Sequence, residues 1–94
     1  MVEFEWDLSK EVENLQKHGI AFAEAVETFS DADGFQLADM KHSASEARFY
    51  WVGKSASGNI LTTRFTRRGD KIRIFESAPW RKFARFYNER TKTQ

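Results

Sequence analysis

The sequence contains no cysteine, which excludes disulfide bonds, thiolate metal sites and a cysteine nucleophile. It also lacks any apolar run as long as a membrane span, and its first residues are acidic where a signal peptide needs positive charge. There is no glycine-rich phosphate loop and no pair of histidines at helical metal-ligand spacing. These absences predict a cytoplasmic protein that uses neither a metal nor a cofactor.

The length and composition predict one small folded domain that spans residues 1–94. Charge is divided unevenly along the chain. Residues 1–47 hold 3 Lys/Arg and 11 Asp/Glu, a net charge of −8, whereas residues 48–94 hold 12 Lys/Arg and 3 Asp/Glu, a net charge of +9. If the basic half forms one face, it attracts phosphates; the alternative is that folding mixes the two halves and their charges cancel.

Capping residues, apolar spacing and turn residues predict three helices and five strands. Asp7 is a good N-cap for the first helix, and Gly19 suits its C-terminal end. The apolar residues of this helix recur at helical spacing, at Leu8, Val12 and Leu15. The helices are predicted over residues 8–18, 21–29 and 79–90, and the strands over residues 2–6, 35–39, 48–54, 60–66 and 71–77.

This order of elements predicts an α+β fold. Short turns join the later strands, so we expect an antiparallel sheet of about four to five strands, with two N-terminal helices and one C-terminal helix on one face. Residues on one stripe of the second helix are expected in the core, namely Phe22, Ala25, Val26 and Phe29.

The last predicted hairpin places two arginines together. If its loop has two residues, at Arg68-Gly69 or Gly69-Asp70, then Phe65, Ile72 and Ile74 share one face while Arg64 and Arg73 share the other. Like charges on neighbouring strands repel, so such a pair is typical of a site that holds an anion. The alternatives are that both side chains extend into water, or that a three-residue loop reverses the register.

Two further groups are candidates for contact with a nucleic acid. In the last helix, Arg81 and Arg85 share one face, while Trp80, Phe83 and Tyr87 form an apolar stripe. We expect the stripe to pack on the sheet, and Phe86, which fits it poorly, to be exposed. His42, in a polar stretch between elements, is a candidate general base or acid, although a solvated turn histidine is equally consistent with the pattern; His18 is expected at a helix end.

Several of these residues resemble a known family at matching spacings. The sequence resembles BrnT-type toxins over about its first four-fifths. The residues of the opening that carry the resemblance are Phe4-Glu5-Trp6-Asp7, Lys10, Asn14-Leu15, Lys17-His18-Gly19-Ile20, Phe22, Glu24-Ala25 and Phe29. Those that follow are Asp39, His42-Ser43, Glu46, Arg48-Phe49, Val52-Gly53, Gly58, Leu61, Thr66, Arg68, Ile72-Arg73-Ile74 and Ser77-Ala78.

The resemblance implies a RelE-like fold and a ribonuclease toxin that cleaves RNA without a metal. It also implies a ribbon-helix-helix antitoxin that neutralises the toxin, with operator DNA bound only through that antitoxin. For cleavage we expect Arg64 and Arg73 to hold the phosphate with Arg81 as a third donor, and His42 to transfer the proton, with Lys17 or His18 as substitutes. The residues expected to contact RNA are Lys17, His18, Arg48, Ser77, Lys82 and Arg85.

One departure from the family concerns the end of the last strand. The family continues this strand as Ile-Ser-Ala-Arg, whereas here Ser77-Ala78 is followed by Pro79-Trp80, and Arg81 and Lys82 are the nearest replacements for the charge. The alternative function is therefore a catalytically impaired module that binds antitoxin or RNA without cleaving. A duplex DNA reader is not supported, because no helix-turn-helix or zinc pattern is present.

Overall fold

The computed structural model describes residues 2–92. The elements in chain order are β1 (Glu3–Trp6), α1 (Leu8–His18), α2 (Phe22–Thr28), β2 (Phe35–Ala38), a 3-10 turn (Met40–His42), β3 (Arg48–Lys54), β4 (Ile60–Arg68), β5 (Lys71–Ala78) and α3 (Arg81–Lys92). The predicted α+β order is confirmed, although α3 begins at Arg81 rather than at Pro79. None of the helices within these residues is long and apolar enough to cross a membrane.

The five strands form one sheet in the order β1-β5-β4-β3-β2. Strands β2 to β5 follow one another as an antiparallel meander, as predicted. β1 lies beside β5 and runs parallel to it, with Phe4 opposite Ile72 and Trp6 opposite Ile74. The sheet is therefore mixed. A parallel neighbour needs a long crossover connection, and here nearly the whole chain lies between the two strands.

The apolar core lies between α2 and one face of the sheet. Phe22 and Ala25 of α2 are buried against Phe65, Ile72 and Ile74 of β4 and β5. Phe29, just after α2, stacks on Trp51 with ring centroids 5.3 Å apart and meets Phe65 edge-to-face at the same distance. The predicted core stripe of the second helix is confirmed, because these side chains occupy this interface.

α3 covers part of the opposite face of the sheet. Tyr50 alternates with Phe49 along β3, so it points away from α2. Its ring packs on Phe83 of α3 at 5.4 Å, and Tyr87 of α3 is buried. The expectation that all helices cover one face is therefore wrong. β3 carries apolar side chains on both faces, since Tyr50 and Val52 alternate with two further aromatic residues. Each face of the strand therefore has to be shielded from water by a helix.

α1 presents its apolar stripe to solvent. Leu8 is 73% exposed, Val12 53% and Leu15 46%. The buried residue of this helix is Asn14, whose amide donates to the carbonyl of Ser77 at 2.8 Å and accepts from its N–H at 3.0 Å. The apolar spacing of α1 correctly predicts a helix, but it does not predict the side on which the helix packs. Asn14 decides that side, because its side-chain amide both donates to and accepts from the backbone of β5.

Candidate functional site

Two rows of side chains cross β3, β4 and β5 on the face of the sheet opposite α2. One row consists of Arg48, Thr66 and Arg73, and the next consists of Tyr50, Arg64 and Glu76. Residues paired across antiparallel strands lie on the same face. Three arginines from the basic half of the chain are thereby brought together on neighbouring strands.

The hairpin between β4 and β5 has the two-residue loop that the sequence allowed. Arg68 pairs with Lys71, so Gly69 and Asp70 form the turn. Gly69 has a φ of 60°, in the left-handed region that such hairpin turns require. The predicted register near the turn is confirmed, and it places Arg73 diagonally from Arg64.

A β-bulge farther along the hairpin changes the residue that faces Arg64. Phe65 pairs with Ile74, but Arg64 pairs with Glu76, which leaves Phe75 as the extra residue on β5. A regular ladder would place Phe75 opposite Arg64. The bulge therefore puts a carboxylate beside this arginine, a result that residue alternation alone did not predict.

Arg64 and Arg73 are each paired with carboxylates of their own chain. Arg64, 19% exposed, donates to Glu76 at 2.9 Å, and its Nε lies 3.4 Å from the carboxylate of Asp39. Arg73 donates to Glu5 of β1 at 2.9 Å. Neither side chain simply extends into water. The repulsion expected between the two arginines is relieved by these carboxylates, so no external anion is needed for the fold.

A cleft of about 320 Å³ opens between α1 and these rows. It is lined by four cations, two carboxylates, one amide and one aromatic ring, namely Lys10, Lys17, Arg48, Arg64, Glu13, Glu76, Asn14 and Phe75. The guanidinium of Arg48 lies over the ring of Phe75, 4.2 Å from its centroid. Lysines from the acidic half thus join arginines from the basic half, and the cleft carries a net positive lining.

Two arginines that line this cleft have a buried nitrogen without a close hydrogen bond. The Nε atoms of Arg48 and Arg64 are buried and have no hydrogen-bond partner within the described residues. Buried nitrogens of this kind are normally paired, because an unpaired donor costs free energy. The Arg64 Nε lies 3.4 Å from the Asp39 carboxylate, so it is not free of charge partners. The four cations that line the cleft suit an anion with several oxygens, such as a phosphate.

Three nitrogen-bearing side chains converge on Glu76 at one end of the cleft. Besides Arg64, His18 Nε2 lies 2.9 Å from its carboxylate and Lys17 Nζ lies 3.6 Å away. Burial by itself would raise the pKa of Glu76, but hydrogen bonds from His18 and Arg64 outweigh it and hold that pKa below the ordinary value. The carboxylate is therefore ionised at neutral pH and competes with any other anion for Arg64.

A second carboxylate, Asp39, lies on the other side of Arg64. It is buried, and His42 Nδ1 lies 2.9 and 3.1 Å from its two oxygens. Burial opposes ionisation of Asp39, but the His42 hydrogen bond and the charge of Arg64 lower its pKa. Burial raises the pKa of the neighbouring Tyr50 hydroxyl, and the Asp39 charge raises it further. We call Asp39, His42, Tyr50 and Arg64 the Asp39 cluster.

Not every predicted site residue reaches the cleft. Ser77 is fully buried, and its hydroxyl lies 3.0 Å from that of Thr63, an environment that does not favour the predicted contact with RNA. Its backbone instead anchors α1. Arg81, Lys82 and Arg85 are exposed on α3 and do not line the cleft. Tyr87 and Phe83 pack as expected, and Phe86 is 50% exposed beside Phe35.

Sequence reasoning missed several members of the site. Lys10, Asn14, Tyr50, Phe75 and Glu76 were not singled out as functional candidates. A signal for Glu76 is present, since it is one of only three acidic residues in the basic half. Within residues 2–92, no group of three His, Asp or Glu side chains is arranged to hold a metal ion.

The fold and the cleft define a small α+β protein with a cationic site suited to phosphate groups. The model of the BrnT family, described as the ribonuclease toxin of a type II toxin–antitoxin system, matches residues 6–82. The chain belongs to this family. Its fold is similar to the 1.1 Å crystal structure of the Brucella abortus ribonuclease toxin BrnT, with a TM-score of 0.64, 20% identity, and coverage of 83% of this chain and 95% of that one. No curated protein sequence matches this chain.

Proposed function

We propose that this chain is an endoribonuclease toxin that cleaves RNA in the cytoplasm without a metal and thereby arrests growth. The observation that carries the proposal is the cationic cleft in which Arg48 and Arg64 lie beside Lys10 and Lys17. Arginine suits this role because its planar fork binds two phosphate oxygens and remains charged. We assign the scissile phosphate to Arg48 and Arg64, and neighbouring phosphates to Arg73 and Arg81.

In the proposed cleavage, the Asp39 cluster supplies the base. The 2′-oxygen of the RNA attacks phosphorus, and its proton passes to His42 Nε2 as general base. The bond to the 5′-oxygen breaks, that oxygen takes a proton from water, and a cyclic phosphate remains. The arginines stabilise the negative charge that develops on the phosphorane oxygens.

The test of this proposal compares two arginines on β4. In Arg64→Lys, a charge stays beside Glu76 but the fork is lost. Arg67→Lys is the matched control, because Arg67 lies on the same strand and faces the other way. Each variant is induced alone in a bacterium, growth is followed and RNA ends are mapped. We expect Arg64→Lys to lower cleavage about a hundredfold, and Arg67→Lys to match the unmodified chain. Equal cleavage by both would overturn the assignment of Arg64.

A partner is expected because the family acts in toxin–antitoxin pairs. We propose a ribbon-helix-helix antitoxin that covers the cationic cleft with an acidic segment and so blocks RNA. The experiment is co-expression with the product of the neighbouring reading frame, followed by pull-down with the chain. A stable complex that suppresses cleavage supports the proposal, whereas no complex at micromolar concentration contradicts it.

A second candidate function is a module that binds antitoxin or RNA without cleaving it. It is favoured by the pairing of Arg64 with Glu76 at 2.9 Å, since RNA must displace this carboxylate. It is also favoured by Pro79, which stands where the family continues with arginine. Salt-dependent RNA binding by the purified chain without new RNA ends would establish this function in place of the first.

A further inference from the structure

The backbone around Asp39 is held rigidly between β2 and β3. Its N–H donates to the carbonyl of Arg48 at 2.8 Å, and its own carbonyl accepts from the hydroxyl of Ser43 at 2.6 Å. The same hydroxyl accepts from the Arg48 N–H at 3.0 Å. Ser43 therefore closes the turn that carries His42, and the Asp39 side chain starts from a fixed position.

The buried carboxylate of Asp39 determines which nitrogen of His42 carries the proton. The side chain of Asp39 is only 2% exposed, and both of its oxygens accept from His42 Nδ1. A carboxylate only accepts, so the Nδ1 of a neutral His42 must hold the hydrogen. Nε2 then keeps its lone pair, and it forms no hydrogen bond within residues 2–92. With 43% of the His42 side chain exposed, this nitrogen is available to a ligand.

The other histidine of the chain is held in the opposite way. His18 Nε2, rather than Nδ1, lies 2.9 Å from the carboxylate of Glu76. Arg64 lies between the two carboxylates, 2.9 Å from Glu76 and 3.4 Å from Asp39. The protein therefore contains two histidine–carboxylate pairs of opposite polarity that share one arginine.

We propose that Asp39 is a positioning residue, which fixes His42 with Nε2 as its basic nitrogen and ties this base to Arg64. During proton transfer the Nδ1 hydrogen stays in its bond to Asp39, and Nε2 accepts the proton of the 2′-hydroxyl. The carboxylate also stabilises the imidazolium that results. The catalytic consequence rests on the proposed ribonuclease function, but the protonation pattern does not.

Nitrogen-15 NMR of the histidine rings tests the pattern directly, because protonated and unprotonated ring nitrogens differ widely in chemical shift. At alkaline pH, where imidazole is neutral, we expect hydrogen on Nδ1 in His42 and on Nε2 in His18. Asp39→Asn is expected to move the hydrogen of His42 to Nε2 and leave His18 unchanged. Glu76→Gln is the matched control and alters the signals of His18 alone. Hydrogen on Nε2 of His42 in the unmodified chain would overturn the proposal, even if no variant folds.

The kinetic readout separates positioning from simple loss of binding. Asp39→Asn leaves Arg64 held by Glu76, so RNA still binds, but the base has its hydrogen on the wrong nitrogen. We expect kcat to fall by on the order of a hundredfold or more, the range of general-base catalysis, with KM nearly unchanged. A raised KM with kcat intact would contradict the proposal. If the unmodified chain does not cleave RNA, the proposed function fails, and the NMR result still decides the inference.

Discussion

The two faces of the sheet differ in what their side chains contribute. On the α2 face, Phe22, Phe65 and Ile74 are almost completely buried, and packing determines their positions. On the opposite face, Arg64 and Arg73 are partly exposed and are fixed by ion pairs. β4 supplies both faces, with Phe65 next to Arg64 in the chain. The apolar core and the charged face are therefore separated by a single step of strand alternation.

This separation has an energetic reason. Burial of an aromatic side chain stabilises the fold by about 1.5–3 kcal/mol, whereas an ion pair must first offset the cost of removing two charges from water. A pair such as Arg64 and Glu76 thus contributes little net stability, and each member keeps other polar partners, Asp39 for Arg64 and His18 with Lys17 for Glu76. A change on the charged face therefore costs less folding free energy than a change on the apolar face.

The largest effect is expected on the α2 face. Phe65→Ala should lower the free energy of unfolding by about 3–5 kcal/mol, because it removes a buried ring from the centre of the core. Arg67→Ala is the control on the same strand, since its side chain is exposed, and it should change stability by less than about 1 kcal/mol. Urea denaturation measures both. A loss of stability below 1 kcal/mol for Phe65→Ala would show that the core lies elsewhere.

A second effect concerns the close contact of β3 with the end of α2. A Cβ on Gly53 would lie 2.6 Å from the carbonyl oxygen of Thr28 and 2.8 Å from Nε1 of Trp51. These two groups share a hydrogen bond of 2.7 Å, which Gly53→Ala would disturb. The expected loss is about 1–3 kcal/mol, as for overpacking. Thermal unfolding measures it, with the exposed-turn variant Ser57→Ala as control. Equal midpoints for the two variants would contradict this packing.

A third comparison lies within α1, where the polar residue is buried and the apolar residues are exposed. Asn14→Ala removes the partner of the Ser77 N–H and of two carbonyls, and it should cost about 1–3 kcal/mol. Leu15→Ala should change stability by less than about 1 kcal/mol, because nearly half of this side chain is exposed and it is not part of the buried core. Chemical denaturation measures the free energy of unfolding of both variants. The reverse order would mean that α1 packs through its apolar stripe.

The smallest effect is a gradual loss of stability that appears only at acidic pH. The pKa of Glu76 lies below its ordinary value of 4.5, so its contribution to stability is complete above that pH and is lost as the pH falls below it. Stability measured across this range should decline, and Glu76→Gln should show a shallower decline. Glu89→Gln, on the exposed side of α3, is the control and should follow the unmodified chain. Parallel curves for all three proteins would exclude Glu76 from the acid response.

Much of the fold could be predicted because its signals are local. Gly69 and Asp70 specify the turn of the last hairpin, and alternation then places Phe65 and Arg64 on opposite faces. The site was less predictable. The bulge at Phe75 depends on how β5 meets β4 and α1, and no residue in that stretch marks it. The sequence marks Asp39 only through the family resemblance, since its burial requires β2, β3 and β4 together.

The sequence by itself determined the parts of this protein that depend on neighbours a few positions away. Asp7 caps α1 through a hydrogen bond from Ser9, and Gly19 ends the helix at a φ of 70°. Tertiary structure alone decided which charges meet. His18 reaches Glu76 across 58 positions of the chain, and Arg64 joins it to Asp39. Charged groups attract any opposite charge without direction, so only the packed positions of the strands and of α1 select their partners.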